Sequence, residues 1–365
     1  MAAVVGDQLR VFYRRFKPHI FMVLVHIGYT FLYLLTEVSF NHGMDAHVFV
    51  TYRHAIGGVV IFPFACFLER KVRPKLTLAL FLEMFLLSLL GVSLTLNMYF
   101  ASLKYTSATF VTSVVNTVPS LTFIIALALR METLDVRHPR GMAKVLGTLT
   151  CLAGVIVIAL YEGAEVQSWK GAPIHIIRSN HVHENWIKGP ILAVASCISW
   201  SSWYVMQGIT LKKYPAPLSL TAWINFLGGV QSAVFTLIIQ HKPAAWLIPF
   251  NIDFWSTVYA GIVCSGLIIF IQLHCTEQKG PVFVTVFNPL GTVLVGLQAY
   301  FLLGARLHMG RIVGAVVVIL GLYLVLWGKE GDQCDIKSRE KSFLSNDEPK
   351  EPKAQRELPS ETEVP

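Results

Sequence analysis

The chain has 365 residues, 54% of them hydrophobic and 14% charged, with a mean hydropathy of +0.56 and a formal net charge of +8. An average soluble domain is about a quarter charged, and a water-soluble chain of this length has too few polar residues to cover so much apolar surface. The charge is also segregated: seven of the 30 Lys+Arg and ten of the 22 Asp+Glu follow Gly328. The basic excess before that point sits in short connectors between apolar runs. That is a membrane-orientation pattern, not the continuous basic face that nucleic-acid binding needs.

A spanning helix needs about 20 mainly apolar residues. In chain order, ten runs qualify: 19–39, 46–67, 79–102, 106–129, 141–160, 187–208, 219–239, 254–274, 281–303 and 310–328. The first is longer than a signal-peptide core and reads as a retained helix. The third and fourth are separated only around Lys104-Tyr105, which predicts a tight hairpin. The expected organisation is an N-terminal segment 1–18, five helices over 19–160, a His-, Gly- and Asn-rich loop 161–186, five helices over 187–328, and a tail 329–365. The tail mixes Pro349, Pro352, Pro359 and Pro365 with many charges, cannot bury a core, and reads as disordered. Cys66, Cys151, Cys197, Cys264 and Cys275 lie in or beside apolar runs and Cys334 in the tail, without a CxxC, so they read as small core residues.

Lys and Arg near helix ends set orientation. With a cytosolic N-terminus, 15 of them face the cytosol and seven the other side, with Arg53 set inside a helix. Both termini are therefore expected in the cytosol, and loop 161–186 outside or in a lumen.

The two sets of five helices resemble each other. Phe110-Val111-Thr112 recurs as Phe283-Val284-Thr285, an offset of 173, and Gly57-Gly58-Val59 as Gly228-Gly229-Val230, an offset of 171. Gly147 and Gly154 share their spacing with Gly314 and Gly321, and Tyr33 falls opposite Tyr204. An odd number of helices per set inverts the second set in the membrane. Inverted repeats are a transporter architecture, with a midplane site between the halves that opens alternately to either side. The expected fold is all-α, ten helices as two inverted five-helix repeats. The expected partners are the lipid bilayer and a small organic solute, with a homo-oligomer left open and no nucleic acid.

Polar side chains inside a bilayer tend to face a wet interior. Asn116 with Pro119 and Asn288 with Pro289 mark two helix breaks in corresponding positions, since Pro removes a backbone donor and frees carbonyls. Thr112 and Thr285 precede these breaks; they offer hydroxyls to a solute or bond their own preceding turn. Asn97 and Tyr99 lie together on the third helix, where Asn97 serves either a solute or a helix–helix bond. Trp200, Trp203 and Gln207 share one face of the sixth helix and suggest a cavity wall with stacking surfaces. Tyr29, opposite Trp200 at the repeat offset, joins them. Arg53-His54, about two turns into the second helix, reads as a snorkelling pair, with an anion guide as the alternative. Glu37 and Glu83 read as interfacial. His181-Val182-His183-Glu184 lacks partners at metal-ligand spacing, and no Walker A, nucleophile-elbow or HExxH motif supports an enzyme or an ATP-driven pump. Neither cofactor nor metal is expected.

Several words resemble one family. Leu103-Lys104-Tyr105-Thr106-Ser107-Ala108-Thr109-Phe110 with Asn116 and Pro119, Val50-Thr51-Tyr52-Arg53-His54-Ala55, Gly261-Ile262-Val263-Cys264-Ser265-Gly266, Lys279-Gly280-Pro281-Val282-Phe283 and Gly321-Leu322-Tyr323-Leu324-Val325-Leu326-Trp327-Gly328-Lys329 are similar to plant WAT-related (nodulin-like, UMAMIT) EamA-type transporters. The resemblance spans about residues 20–329. It implies a drug/metabolite carrier for amino-acid-like or auxin-like solutes at the plasma or vacuolar membrane of a plant cell. One departure is Gly304-Ala305-Arg306-Leu307, where the family carries an acidic residue. The first half keeps Glu132-Thr133-Leu134, an acid read as a helix-end or interface element. The rival readings are a nucleotide-sugar or phosphate-ester exchanger, which needs several deep Lys/Arg, and a non-transporting receptor or scaffold.

Overall fold

The computed structural model describes residues 2–106, 111, 114–132, 137–160, 165–167, 187–303 and 307–346. The helices are α1 (Ala2–Asn41), α2 (Ala46–Leu68), α3 (Leu78–Ser88, a π-helical stretch Leu89–Leu94, then Thr95–Tyr105), α4 (Val118–Ala128) and α5 (Pro139–Leu160). They continue with α6 (Lys188–Lys213), α7 (Pro217–Ile239), α8 (Ile252–Tyr259, a π-helical stretch Ala260–Ile268, then Ile269–Lys279), α9 (Pro281–Val286 and Asn288–Leu303, interrupted at Phe287) and α10 (Met309–Asn346). Two short strands, β1 (Glu165–Gln167) and β2 (Leu307–His308), pair antiparallel. The all-α expectation lacked them, because segments of two and three residues carry no periodic signal.

Two helices outrun their apolar sequence. α1 begins at Ala2, ahead of the apolar run 19–39, and α10 continues to Asn346, beyond the apolar run 310–328. The added stretch of α10 is rich in Glu, Lys, Arg and Gln, good helix formers even without an apolar face. Residues 347–365 lie outside the described part, as does most of loop 161–186, including His181-Val182-His183-Glu184.

The exterior is built for hydrocarbon. Phe62, Ile124, Phe226 and Leu320 stand outward at 61%, 60%, 60% and 56% exposure. In water such a surface would aggregate. The interior holds the polar side chains: Thr51, Asn97, Asn225, Ser232, Thr236 and Gln272 are all buried. This is a multi-pass integral membrane protein. Among the described residues seven helices are long and apolar enough to span: Phe16–Asn41, Ala46–Leu68, Leu78–Leu103, Pro217–Ile239, Ile252–Lys279, Pro281–Leu302 and Ile312–Lys329. α4 is shorter, at 11 residues. α5 and α6 carry more polar residues, and on α6 Ser196, Ser199 and Ser201 donate to the carbonyls of Thr95, Leu90 and Val118.

Two helix pairs make the closest approaches. α5 crosses α10 through glycines: a Cβ at Gly147 would lie 2.8 Å from the Gly321 carbonyl oxygen, and one at Gly154 would lie 2.9 Å from that of Gly314. α2 crosses α7 through Gly57, Gly58 and Gly229. Small residues let backbones meet where lipid supplies no hydrophobic drive between helices. The hydroxyls of Thr51 and Thr236 then meet at 3.2 Å across that contact.

The ends of α2 and α7 hold each other. The Glu69 carboxylate, just past α2, accepts from the backbone N–H of Leu218 (2.8 Å) and Ser219 (2.7 Å) at the start of α7. At the other end Gln240 Nε2 donates to Asp45 Oδ2 (3.0 Å), and Asp45 Oδ1 caps α2. A carboxylate on a helix N-terminus is favoured by hydrogen bonding and by the helix dipole. Glu69→Ala should cost about 1–2 kcal/mol, read as a lower thermal midpoint in detergent. An unchanged midpoint would remove Glu69 from the helix cap.

Candidate solute-binding site

Side chains from α1, α2, α3, α6 and α8 converge on an aromatic and polar column. Tyr29 Oη of α1 donates to Gln272 Oε1 of α8 at 3.5 Å, and Gln272 Nε2 donates to Tyr204 Oη of α6 at 3.4 Å. Trp200 stacks on Tyr204 with ring centroids 6.0 Å apart and planes 20° from parallel. Tyr33, one turn along α1 from Tyr29, is within electrostatic range of Tyr99 and Tyr204. It keeps 42% of its surface exposed, while Tyr204 and Gln272 are sealed at 1%. The column therefore has a tightly sealed amide–phenol end at Tyr204 and Gln272.

The π stretches of α3 and α8 border this region. A π turn leaves carbonyls displaced from the regular ladder, and such turns cluster at functional sites. Here the carbonyls find cross-helix partners. Leu90 O accepts from Ser199 Oγ (3.0 Å) and Thr95 Oγ1 (2.7 Å), and Ser265 O accepts from Asn225 Nδ2 (2.7 Å).

The sequence-predicted residues divide into groups. Tyr29, Tyr99 and Trp200 belong to the column as half-buried aromatics. Trp203 and Gln207 instead pack inward on α6, 5% and 0% exposed, and Trp203 fills the space left by the missing side chain of Gly91. Among the described residues the indole N–H of Trp203 and both ends of the Gln207 amide have no hydrogen-bond partner. Asn97 is engaged in a helix–helix tie: it accepts from His47 Nδ1 and donates to Ser93 O, both at 2.6 Å. Thr285 is sealed and donates to its own Val282 carbonyl at 3.1 Å. Thr112 lies outside the described residues.

Asn116 and Pro119 sit at the entry to α4, where Asn116-Thr117 form a turn and Pro119 occupies the first helical turn. Asn288 and Pro289 follow the interruption of α9 at Phe287. The two breaks meet: Thr292 Oγ1 donates to Asn116 Oδ1 at 2.9 Å. Asn116, Pro119 and Pro289 share a narrow cleft with Thr148, Cys151 and Val325. Asn288 Nδ2 is buried without a hydrogen bond. This cleft and the aromatic column are two separate groupings, so the structure does not collect all the predicted residues around one point.

Sequence reasoning passed over several contacts. Arg53 is not snorkelling: it is 7% exposed and its Nε donates to Ser265 Oγ at 3.0 Å. His54 Nδ1 donates to Asn225 Oδ1 at 2.9 Å. Glu83 accepts from Thr210 Oγ1 (2.9 Å) and pairs with Lys213 (2.8 Å), and Ser39 Oγ donates to Asp253 Oδ1. Glu132 forms an ion pair with Lys329 that ties the end of α4 to α10, which agrees with its reading as an interface element. Its counterpart position, Ala305, lies outside the described residues. The signal that links the first contacts is the repeat offset of 171, which carries His54 to Asn225 and Ser39 to Thr210.

An apolar exterior around an aromatic and polar interior, with helix interruptions in both parts of the chain, defines a multi-pass membrane transporter. The sequence pattern of the EamA-like transporter family matches residues 16–160 and 187–327, and the chain belongs to that family. It is 40% identical over 324 residues to the WAT1-related protein At2g39510 of Arabidopsis thaliana, covering 88% of this chain and 87% of that one. The WAT1-related protein At4g08300 of the same plant is 37% identical over 325 residues, covering 87% of each chain. A solved crystal structure shares the fold at 18% identity, with a TM-score of 0.64 over 85% of this chain and 98% of that one.

Proposed function

We propose that the protein is a secondary carrier or facilitator. It moves amino acids or related small organic solutes, auxin among them, across the plasma or vacuolar membrane by alternating access. Its architecture is ten membrane helices in two inverted five-helix repeats, with both termini in the cytosol.

The observation that carries this reading is reciprocity. Residues related by the offset of 171 touch one another or repeat each other's contacts. His54 bonds Asn225, its own counterpart. Gly58 faces Phe226 while Gly229 faces Ala55, and those two are again counterparts. The π stretches begin at Leu89 and Ala260, the same offset apart. Such exchange of partners supports a two-fold axis through the α2–α7 contact. Five helices per repeat put that axis in the membrane plane, which is the geometry of alternating access. The polar α6 and the short α4 then cross the membrane inside the bundle, where Ser196, Ser199 and Ser201 of α6 donate to carbonyls of neighbouring helices.

The test is purified protein in liposomes. Radiolabelled amino acids and indole-3-acetate should move down their gradients faster than into protein-free vesicles. A folded, correctly inserted protein that moves neither class would sink the carrier reading.

A further inference from the structure

Arg53 lies seven residues beyond the start of α2, about 10 Å along the helix, and only 7% of it is exposed. A charge at such depth requires a partner or a wet cavity. Among the described residues the ion pairs are Glu83–Lys213 and Glu132–Lys329, and neither reaches Arg53. Asp45, the carboxylate nearest in the chain, caps α2, and Asp253 of α8 accepts from Ser39. A guanidinium has five donors. Arg53 spends one of them on protein, Nε to Ser265 Oγ at 3.0 Å. Among the described residues its terminal nitrogens have no hydrogen-bond partner, and they are not fully sealed from the surface.

The anchor is built closely. Gly57 and Gly261 let α2 and α8 approach: a Cβ at Gly57 would sit 2.8 Å from Ser265 Cβ, and one at Gly261 would sit 3.0 Å from the Arg53 carbonyl oxygen. Holding Nε fixes the guanidinium plane and leaves the fork of two terminal nitrogens free. That fork matches a carboxylate bidentately. Tyr29 and Tyr33 are within electrostatic range of the same charge.

We propose that Arg53 is the anion-recognition residue of the aromatic column. Its terminal fork takes the carboxylate of the transported solute, while Tyr29, Tyr33 and Trp200 receive the remainder. This rests on the carrier reading above and deepens it. Among the described residues Arg53 is the cation within range of these tyrosines, and one cation suits a monoanion. A nucleotide sugar or phosphate ester would need several.

The test compares an acid with its neutral or cationic counterparts. Full-length protein in detergent is titrated with indole-3-acetate, indole-3-acetamide and tryptamine, and with L-tryptophan, by ligand-induced thermal shift. Wild-type protein should prefer the acid over the amide by about tenfold or more, the discrimination of a charged hydrogen-bonded pair. Arg53→Gln should lose that preference while keeping affinity for the amide, and Arg53→Lys should restore part of it. Arg53→Gln protein that folds and still prefers the acid overturns the proposal. The wild-type comparison needs no variant: equal affinity for acid and amide overturns it even where Arg53→Gln fails to fold. Liposome flux of tryptamine or the amide without acid preference would then leave a carrier standing without an Arg53 site. Wild-type protein that neither binds nor moves any of the four compounds overturns this proposal, and the carrier reading falls with it only if the radiolabelled amino acids of the liposome assay also fail to move.

Discussion

Gly321→Leu should abolish recovery of folded protein, and Gly321→Ala should lower the thermal midpoint clearly. A Cβ at Gly321 would lie 2.6 Å from the backbone N of Cys151, 2.7 Å from its Sγ and 2.8 Å from the Gly147 carbonyl oxygen. Two of those atoms are backbone, so relief requires shifting α5 against α10 as a unit. Overpacking of this kind costs about 1–3 kcal/mol for one methyl and more for a branched side chain. The penalty is felt across the crossing, because Gly147 and Gly154 make the same close approach. Gly296 is the control: nothing lies within 4 Å of a Cβ there. Gly296→Ala should be neutral or gain up to about 1 kcal/mol of helix propensity. Size-exclusion recovery and thermal midpoints of the three variants decide the point. Equal midpoints for Gly321→Ala and Gly296→Ala would mean that the two helices are not tightly apposed.

That crossing was legible in the sequence as a spacing, Gly147 and Gly154 against Gly314 and Gly321, though not as a contact. The helix boundaries were legible where hydrophobicity changes sharply: 46–67 was expected for α2, which ends at Leu68. The breaks at Asn116 and Phe287 were legible because proline acts locally. The π stretches were not. Leu89–Leu94 and Ala260–Ile268 read as ordinary apolar helix, and what supports them are carbonyl partners far away in sequence, such as Ser199 for Leu90. Asn97 was undecidable for the same reason, since its partner His47 is 50 residues distant. Arg53 misled because a basic residue near a helix end can snorkel or turn inward, and only the 212-residue link to Ser265 settles which. Local rules thus recover the elements and their interruptions. The choice between a binding side chain and a structural tie depends on non-local partners.

The second large effect concerns the two ends of the bundle. Ser39 donates to Asp253 near the turn joining α1 to α2, and Thr210 donates to Glu83 near the opposite end of α2. The offset that takes Ser39 to Thr210 takes Glu83 to within one residue of Asp253. One contact holds α1 on α8 and the other α6 on α3; on the two-fold repeat proposed above they are one latch used twice, once at each face. A hydrogen bond to a charged group is worth about 1.5–3 kcal/mol. Lys213 adds to the Glu83 latch, but it is 56% exposed, and an exposed pair adds at most about 1 kcal/mol. In a carrier that closes one face while opening the other, removing a latch shifts the population toward opening on its own side. Asp253→Ala and Glu83→Ala should therefore act in opposite directions, each by about tenfold or more, with Glu83→Ala the larger. Cys264 is buried beside the column and serves as reporter once the other cysteines are replaced. A membrane-impermeant maleimide should label it faster in Asp253→Ala from the face of the α1–α2 turn, and faster in Glu83→Ala from the opposite face. Ser39→Ala and Thr210→Ala should follow their partners with smaller effects, because they leave the carboxylate in place. Labelling that rises equally from both faces in both variants would show that the pairs only hold the fold together, and the two-fold relation between them would then have no role in gating.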